Sequence, residues 1–248
     1  MTLHHSLEYY LRTGYLPILD RYRIEDINSE YGCFIGIDVC LPLYKVLNME
    51  AQSLEGTWNE VNDYVAKAFQ IITDEYSEEL GIEEEERLRD VDREIIREIE
   101  HQLKTPPAAC YPLYFISAGD DKDEKLVYVG KTSSKIHRFS VGHSAALKLH
   151  APEYDGLSKH IYFGTAVFLD DEKNYMPLEF IQPYKEAKSL LRNLEAGLIY
   201  NLMPELNTVY LNKNYAHMDM FVNIENHSRR QHLRRQHLLN NWQIFIHK

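Results

Sequence analysis

Residues 111–132 read YPLYFISAGDDKDEKLVYVGKT. Two runs rich in aromatic and β-branched residues, 111–118 and 125–132, flank a polar segment that begins with Gly119. Runs of this composition are typical of strands, and a short polar segment containing glycine is typical of the turn between them. The stretch therefore predicts an antiparallel β-hairpin.

The pattern downstream of the hairpin predicts a helix, a third strand and a second helix. Ser133 or Ser134 can cap the first helix, which would carry His143 on its apolar side. The third strand is predicted at residues 160–169 and the second helix at 189–202. The predicted fold class is therefore α+β, with a small three-stranded antiparallel or mixed sheet flanked by helices.

The N-terminal region, residues 1–108, is predicted to be mostly helical and is strongly acidic. Its apolar stretch at 33–46 is interpreted either as a strand or as another buried segment, because Pro42 interrupts it. The amphipathic pattern at 83–103 predicts a helix that packs its apolar stripe on its own domain or against a second copy of the chain. Thr105-Pro106-Pro107 ends that helix and marks a domain boundary.

Charge is distributed unevenly along the 248 residues, whose net charge is −11. Residues 1–108 hold 23 of the 38 acidic residues but 10 of the 27 Lys and Arg residues, a balance of −13. The rest of the chain has a balance of +2. An acidic chain repels phosphate at long range, so nucleic-acid contact would need a local basic surface or a metal.

Composition also bears on the compartment. No apolar run reaches membrane-spanning length, so no transmembrane segment is expected. The first twenty residues mix charged and apolar residues and do not resemble a secretory signal. Three cysteines form no close metal-ligand pair, and their odd number disfavours a disulfide framework. A cytoplasmic protein is therefore expected.

The most specific constellation is a tyrosine pair followed by three polar residues in a fixed order. Tyr128-Val129-Gly130-Lys131 follows the tyrosine-bearing run that contains Tyr114. Arg138 comes eight residues after the glycine, and Glu195 and Asn207 come later. Over about residues 111–207, this order resembles the catalytic core of the GIY-YIG nuclease family. Pro112 stands where the family has glycine, which implies a different strand start.

The resemblance implies a role for each of four residues. Tyr114 and Tyr128 would lie together and help to activate water, because side chains on one face of neighbouring strands approach closely. Arg138 would stabilise the negative charge of the transition state with its guanidinium fork. Glu195 would bind Mg²⁺, which Mn²⁺ could replace, since one carboxylate suffices when waters and phosphate oxygens complete the shell.

Other positions have less definite roles. Gly130, Lys131 and Asn207 match the motif and are predicted to contact or orient the substrate. The family often has histidine four residues after the arginine, but here Gly142 holds that place. His143 is the predicted catalytic histidine, with His137 and His150 as alternatives.

The C-terminal region, 211–248, contains a five-residue duplication rich in arginine. It either contacts DNA phosphates or forms a solubilising terminal helix. Its candidate phosphate-binding residues are Arg229, Arg230, Arg234 and Arg235.

The sequence thus predicts a divalent-metal-dependent DNA endonuclease with its core at 109–210. Restriction or defence is the expected setting, in which cutting a palindrome would require a homodimer. One alternative is a catalytically silent nucleic-acid-binding or regulatory module. Another is the nuclease subunit of a larger complex, with a protein partner bound by the acidic region.

Overall fold

The computed structural model describes most of the chain and leaves several segments outside. The described residues are 22–23, 27–28, 30–48, 53–80, 93–104, 107, 110–120, 123–132, 143–173, 175–228 and 242–248.

Within these residues the fold is α+β, with nine strands and four α-helices. The strands are β1 (Tyr22–Arg23), β2 (Cys33–Pro42), β3 (Leu113–Ala118), β4 (Lys125–Lys131), β5 (Lys159–Leu169), β6 (Tyr175–Pro177), β7 (Ile181–Gln182), β8 (Met220–Asn226) and β9 (Trp242–Ile246). The helices are α1 (Leu54–Leu80), α2 (Arg93–Leu103), α3 (Ser144–Lys148) and α4 (Tyr184–Leu202). Short 3-10 helices lie at Leu43–Asn48, Pro152–Tyr154 and Leu178–Phe180.

Among the described residues, seven strands form one mixed sheet, with six of them in the order β4-β3-β5-β2-β8-β9. Strand β6 pairs with β5, whereas β1 and β7 form a separate parallel pair. The central strand β2 pairs antiparallel with β5 and parallel with β8. The predicted number of three strands is therefore too small, although the α+β class is confirmed.

Three of the four extra strands come from the regions on either side of the predicted core, and the fourth, β6, lies within it. Strand β2 lies in the acidic region, and β8 and β9 lie in 211–248, so the sheet crosses both predicted boundaries. The apolar stretch at 33–46 is a strand as far as Pro42 and a 3-10 helix after it. A central strand is an apolar run without strict alternation, which periodicity alone does not separate from a buried helix.

The hairpin is confirmed, because β3 and β4 pair antiparallel with Tyr114 opposite Gly130. The third strand is also confirmed at Lys159–Leu169. The second helix begins at Tyr184, five residues before the predicted start, and ends at Leu202.

Each face of the sheet has its own apolar cluster. Phe115 and Val129 pack with Leu194 of α4 on one face. Tyr114 and Phe163 lie in a second cluster on the opposite face, because successive strand residues alternate between faces. The tyrosine therefore faces away from the main helical layer.

Helix α2 uses part of its predicted apolar stripe within the chain. Ile95 and Ile99 are buried in a third cluster with Ala68 and Ile72 of α1. In the part of the chain that the structure describes, no helix is both long enough and apolar enough to cross a membrane.

Candidate active site

The glycine of the second motif provides space for the tyrosine of the first. Tyr114 lies opposite Gly130 across the hairpin. A Cβ atom at Gly130 would overlap Cζ and the phenol oxygen of Tyr114 and lie 2.8 Å from Cε1 of Tyr128. The strand pair can therefore hold both rings at this point only if the residue is glycine.

Tyr114, Tyr128 and His143 form the centre of the site. The Tyr114 hydroxyl lies 2.8 Å from Nε2 of His143, a hydrogen bond whose direction depends on the imidazole tautomer. The two tyrosine rings stack with centroids 6.0 Å apart. The His143 ring meets Tyr128 edge-on at 5.1 Å. The histidine therefore contacts both phenol-bearing rings.

The two phenols differ in their access to solvent. Tyr114 is fully buried and His143 is 6% exposed, whereas Tyr128 is half-buried. Among these three side chains, Tyr128 is therefore the one that bound substrate or water reaches first.

The backbone at His143 departs from the predicted helix. His143 is the N-cap of α3, with φ −117° and ψ 123°, and is therefore extended rather than helical. Because it precedes the helix, its side chain is not fixed by helical spacing from Arg138. Residues 133–142 lie outside the described residues, and with them His137 and Arg138.

Lys131 and Glu195 form an ion pair between β4 and α4. Nζ of Lys131 lies 2.6 Å from Oε2 of Glu195, and the side chains are 17% and 11% exposed. Glu195 lies on a helix whose neighbouring positions, including Leu194 and Leu198, pack in the main core. The low exposure places this charge pair in a medium where it is screened less than on the surface.

The side chain of Asn207 binds the edge strand β4 at Val129, which lies between Tyr128 and Gly130. Its Oδ1 accepts the Val129 N–H at 2.9 Å, and its Nδ2 donates to the Val129 carbonyl at 2.9 Å. The Leu206 N–H also donates to the Val127 carbonyl. The loop thus satisfies backbone groups at the outer edge of β4, which would otherwise lack a partner strand. Asn207 therefore positions Tyr128 and Gly130 through the strand backbone.

The remaining predicted residues lie elsewhere. His150 is exposed at the end of α3, and Tyr114 contacts His143 instead. The four arginines of the C-terminal duplication lie outside the described residues.

A single carboxylate, Glu195, is the candidate ligand for magnesium. Among the described residues, no group of three or more His, Cys, Asp and Glu side chains is arranged to hold a metal ion. Magnesium does not require such a group, since it keeps several waters and takes oxygens from bound phosphate. Glu195 offers one carboxylate, and the Lys131 ammonium lies 2.6 Å from its Oε2, so a metal ion would have to share this group with Lys131 or displace it.

A second polar cluster, which the sequence did not predict, lies where the hairpin turns into β4. Glu124 is 4% exposed, and its Oε1 accepts hydrogen bonds from Ser117 and, at 2.8 Å, from Tyr162. Nδ1 of His160 lies 3.4 Å from the same oxygen. Burial acts to raise the pKa of Glu124, but its contacts with His160, Ser117 and Tyr162 outweigh burial and lower that pKa. The turn-like sequence at 119–124 gave no signal that its last residue is buried.

Comparison of the chain with protein-family models, with curated proteins and with solved structures finds no match in any of the three. The case for a function therefore rests on the geometry of these residues and on the motif resemblance.

Proposed function

We propose that the chain is a divalent-metal-dependent endonuclease that hydrolyses DNA phosphodiester bonds through a GIY-YIG-type core, in restriction or defence. The observation that carries the proposal is the contact of Tyr114 with His143 beside Tyr128. Residues distant in sequence bring two phenols and an imidazole together on one face of the sheet. These groups can orient a water molecule and take up its proton.

The exposure of the three side chains suggests how they would divide the work. Tyr128, the accessible phenol, orients the attacking water. The proton released as the oxygen–phosphorus bond forms ends on the His143 imidazole, because an ordinary phenol is a weak base at neutral pH and an imidazole is not. Tyr114 holds the imidazole through its hydrogen bond. The leaving oxygen takes its proton from solvent when the phosphorus–oxygen bond breaks.

Glu195 would hold Mg²⁺, which supplies Lewis-acid stabilisation of the phosphate and of the leaving oxygen. Lys131 orients the Glu195 carboxylate through their 2.6 Å contact. Arg138 keeps the role that the resemblance implies for it, stabilisation of the charge on the phosphate oxygens.

The same ion pair favours a second candidate, a nucleic-acid-binding module without catalytic activity. A lysine ammonium on Oε2 neutralises Glu195 and competes with a divalent cation for it. In such a module the site would bind DNA without a metal ion, and the ion pair of Lys131 with Glu195 would only stabilise the fold.

Cleavage of supercoiled plasmid tests the proposal and separates it from the second candidate. Wild type should nick or cut the plasmid with Mg²⁺ or Mn²⁺ and not with chelator. Glu195→Gln should abolish cleavage, whereas Glu186→Gln on the same helix should retain it. Salt-sensitive DNA binding without cleavage by wild type in either metal would reject the nuclease in favour of the binding module.

A further inference from the structure

A cavity of about 680 Å³ opens beside the candidate active site and shares His143 with it. It lies between the 3-10 helix after β2, helix α3 and the start of β5, and its apolar wall includes Leu43, Leu149 just after α3 and Leu157 just before β5. This volume falls within the roughly 300–1,000 Å³ range of small-ligand pockets. The wall is largely apolar, so the cavity favours a flat or apolar group over a hydrated one.

The polar side chains that line the cavity all carry nitrogen or a hydroxyl group. His143, His150, His160 and Lys159 face it, and none of the described residues that line it is Asp or Glu. A cavity lined by imidazole and ammonium groups and by no carboxylate of the described residues favours ligands with acceptor atoms or negative charge.

An exposed aromatic ring stands at the rim. Tyr44 lines the cavity and is 78% exposed, and the Lys45 ammonium lies 5.9 Å from its ring centroid. An exposed tyrosine beside a lysine is the combination that stacks a nucleobase and attracts its phosphate.

We propose that this cavity receives an unstacked nucleobase of the DNA strand held in the active site, with Tyr44 stacking on the base. The proposal rests on the proposed function for the identity of the ligand. His143 couples the two sites, because it touches Tyr114 on one side and lines the cavity on the other. Apolar walls hold the base, while Lys159 and the other histidines meet its acceptor atoms and its phosphate.

Binding without metal tests this inference independently of cleavage. The probes are a fluorescein-labelled ten-nucleotide single strand of DNA and an abasic strand of the same length, titrated with full-length protein in chelator. Both carry the same phosphates, so only the bases distinguish them. Wild type should bind the base-bearing strand more tightly than the abasic strand.

Tyr44→Ala should weaken binding of the base-bearing strand by roughly tenfold, as expected for one lost stacked base, and leave the abasic strand unchanged. Ala146→Trp, which fills the cavity from α3, should have the same effect. Tyr215→Ala is the matched control, since Tyr215 is exposed and has the Lys213 ammonium 5.4 Å from its ring centroid, but lies outside the cavity.

Equal affinity of wild type for the two strands would overturn the inference, as would the same loss of affinity in Tyr215→Ala and Tyr44→Ala. If plasmid cleavage depends on Glu195 but wild type binds both strands equally, the proposed nuclease activity is supported and the proposed base-binding cavity is rejected. Base discrimination that depends on Tyr44 supports the pocket even where no plasmid is cut.

Discussion

The phenol oxygen of Tyr114 lies 2.8 Å from Nε2 of His143, although the two residues are 29 positions apart. Tyr114 is the second residue of β3, and His143 precedes helix α3 in extended conformation. Both are buried, so the hydrogen bond is protected from competing water and fixes the imidazole against the strand pair.

Removing this phenol should abolish most of the cleavage and leave the fold intact. We expect Tyr114→Phe to slow plasmid cleavage by about 10²-fold, the effect of misplacing a catalytic group, since His143 loses the partner that holds it. The free energy of unfolding, measured in urea, should fall by only about 1–2 kcal/mol, the cost of one buried hydrogen bond.

The control for this change is Tyr154→Phe. Tyr154 is also buried, and its hydroxyl donates to Glu205 at 2.6 Å, a residue to which the proposed mechanism gives no role. It should lose similar stability and keep wild-type cleavage. Wild-type cleavage by Tyr114→Phe would remove Tyr114 from the mechanism.

Much of this site could be predicted from the sequence, because its members lie in regular elements with clear signals. The tyrosines lie in two strands rich in aromatic and β-branched residues, and Glu195 lies beside the leucine stripe of a helix. The approach of His143 could not be predicted from helical spacing, since the residue is not helical. The pairing of Lys131 with Glu195 is a tertiary contact over 64 positions, for which neither local sequence holds a signal.

The size of the sheet was missed for a related reason. Strand β2 and strand β8 are parallel neighbours separated by most of the chain, and no local pattern links such partners. The hairpin was predictable because one short turn joins its strands. Glu124 lies in a segment that the local pattern predicts to be a polar turn, but partners from β3 and β5 bury it.

Crowding at Gly130 makes a second prediction. Gly130→Ala should destabilise the protein by about 1–3 kcal/mol, the usual cost of overpacking, because its methyl group overlaps the Tyr114 ring. Gly56→Ala is the control, since its nearest contact would be an ordinary 3.4 Å from Oγ of Ser53. That variant should keep wild-type stability or gain from better helix propensity.

A double-mutant cycle identifies the cause of the loss at Gly130. In a Tyr114→Ala background the more strongly overlapping ring is absent and only the 2.8 Å approach to Tyr128 remains, so Gly130→Ala should cost less stability than in wild type. Chemical denaturation of the four proteins measures the coupling. Equal costs in the two backgrounds would contradict the steric explanation.

The ion pair predicts a response to magnesium. Lys131→Met leaves the Glu195 carboxylate in a poorly exposed site without its cation, which should cost about 3 kcal/mol of unfolding free energy. Mg²⁺ should then restore part of that stability, because a ligand that binds only the folded state stabilises it by mass action.

Urea unfolding with and without Mg²⁺ measures this recovery. The double variant Lys131→Met/Glu195→Gln is the control and should show no response, since the carboxylate is gone. If Mg²⁺ left the stability of Lys131→Met unchanged, Glu195 would not be a metal ligand.

Two buried glutamates predict opposite dependences on pH. The pKa of Glu124 is lowered, because its hydrogen-bonding contacts outweigh burial. Its carboxylate therefore stabilises the fold above the unfolded pKa, and this contribution is lost as pH falls through the folded pKa. Glu124→Gln should cost about 2 kcal/mol at pH 7, with the cost shrinking below about pH 4.

Glu179 is 1% exposed, and burial raises its pKa despite a hydrogen bond from the Cys110 N–H. Between the unfolded and the folded pKa, the folded protein keeps a proton on Glu179 that the unfolded chain has released. The contribution of Glu179 to the free energy of unfolding therefore falls as pH rises through this range. Stability of Glu179→Gln relative to wild type should therefore increase with pH. Urea unfolding of wild type and both variants from pH 3.5 to 7 measures how the stability of each variant relative to wild type changes with pH. Changes of the same sign in the two variants would contradict the opposite pKa shifts.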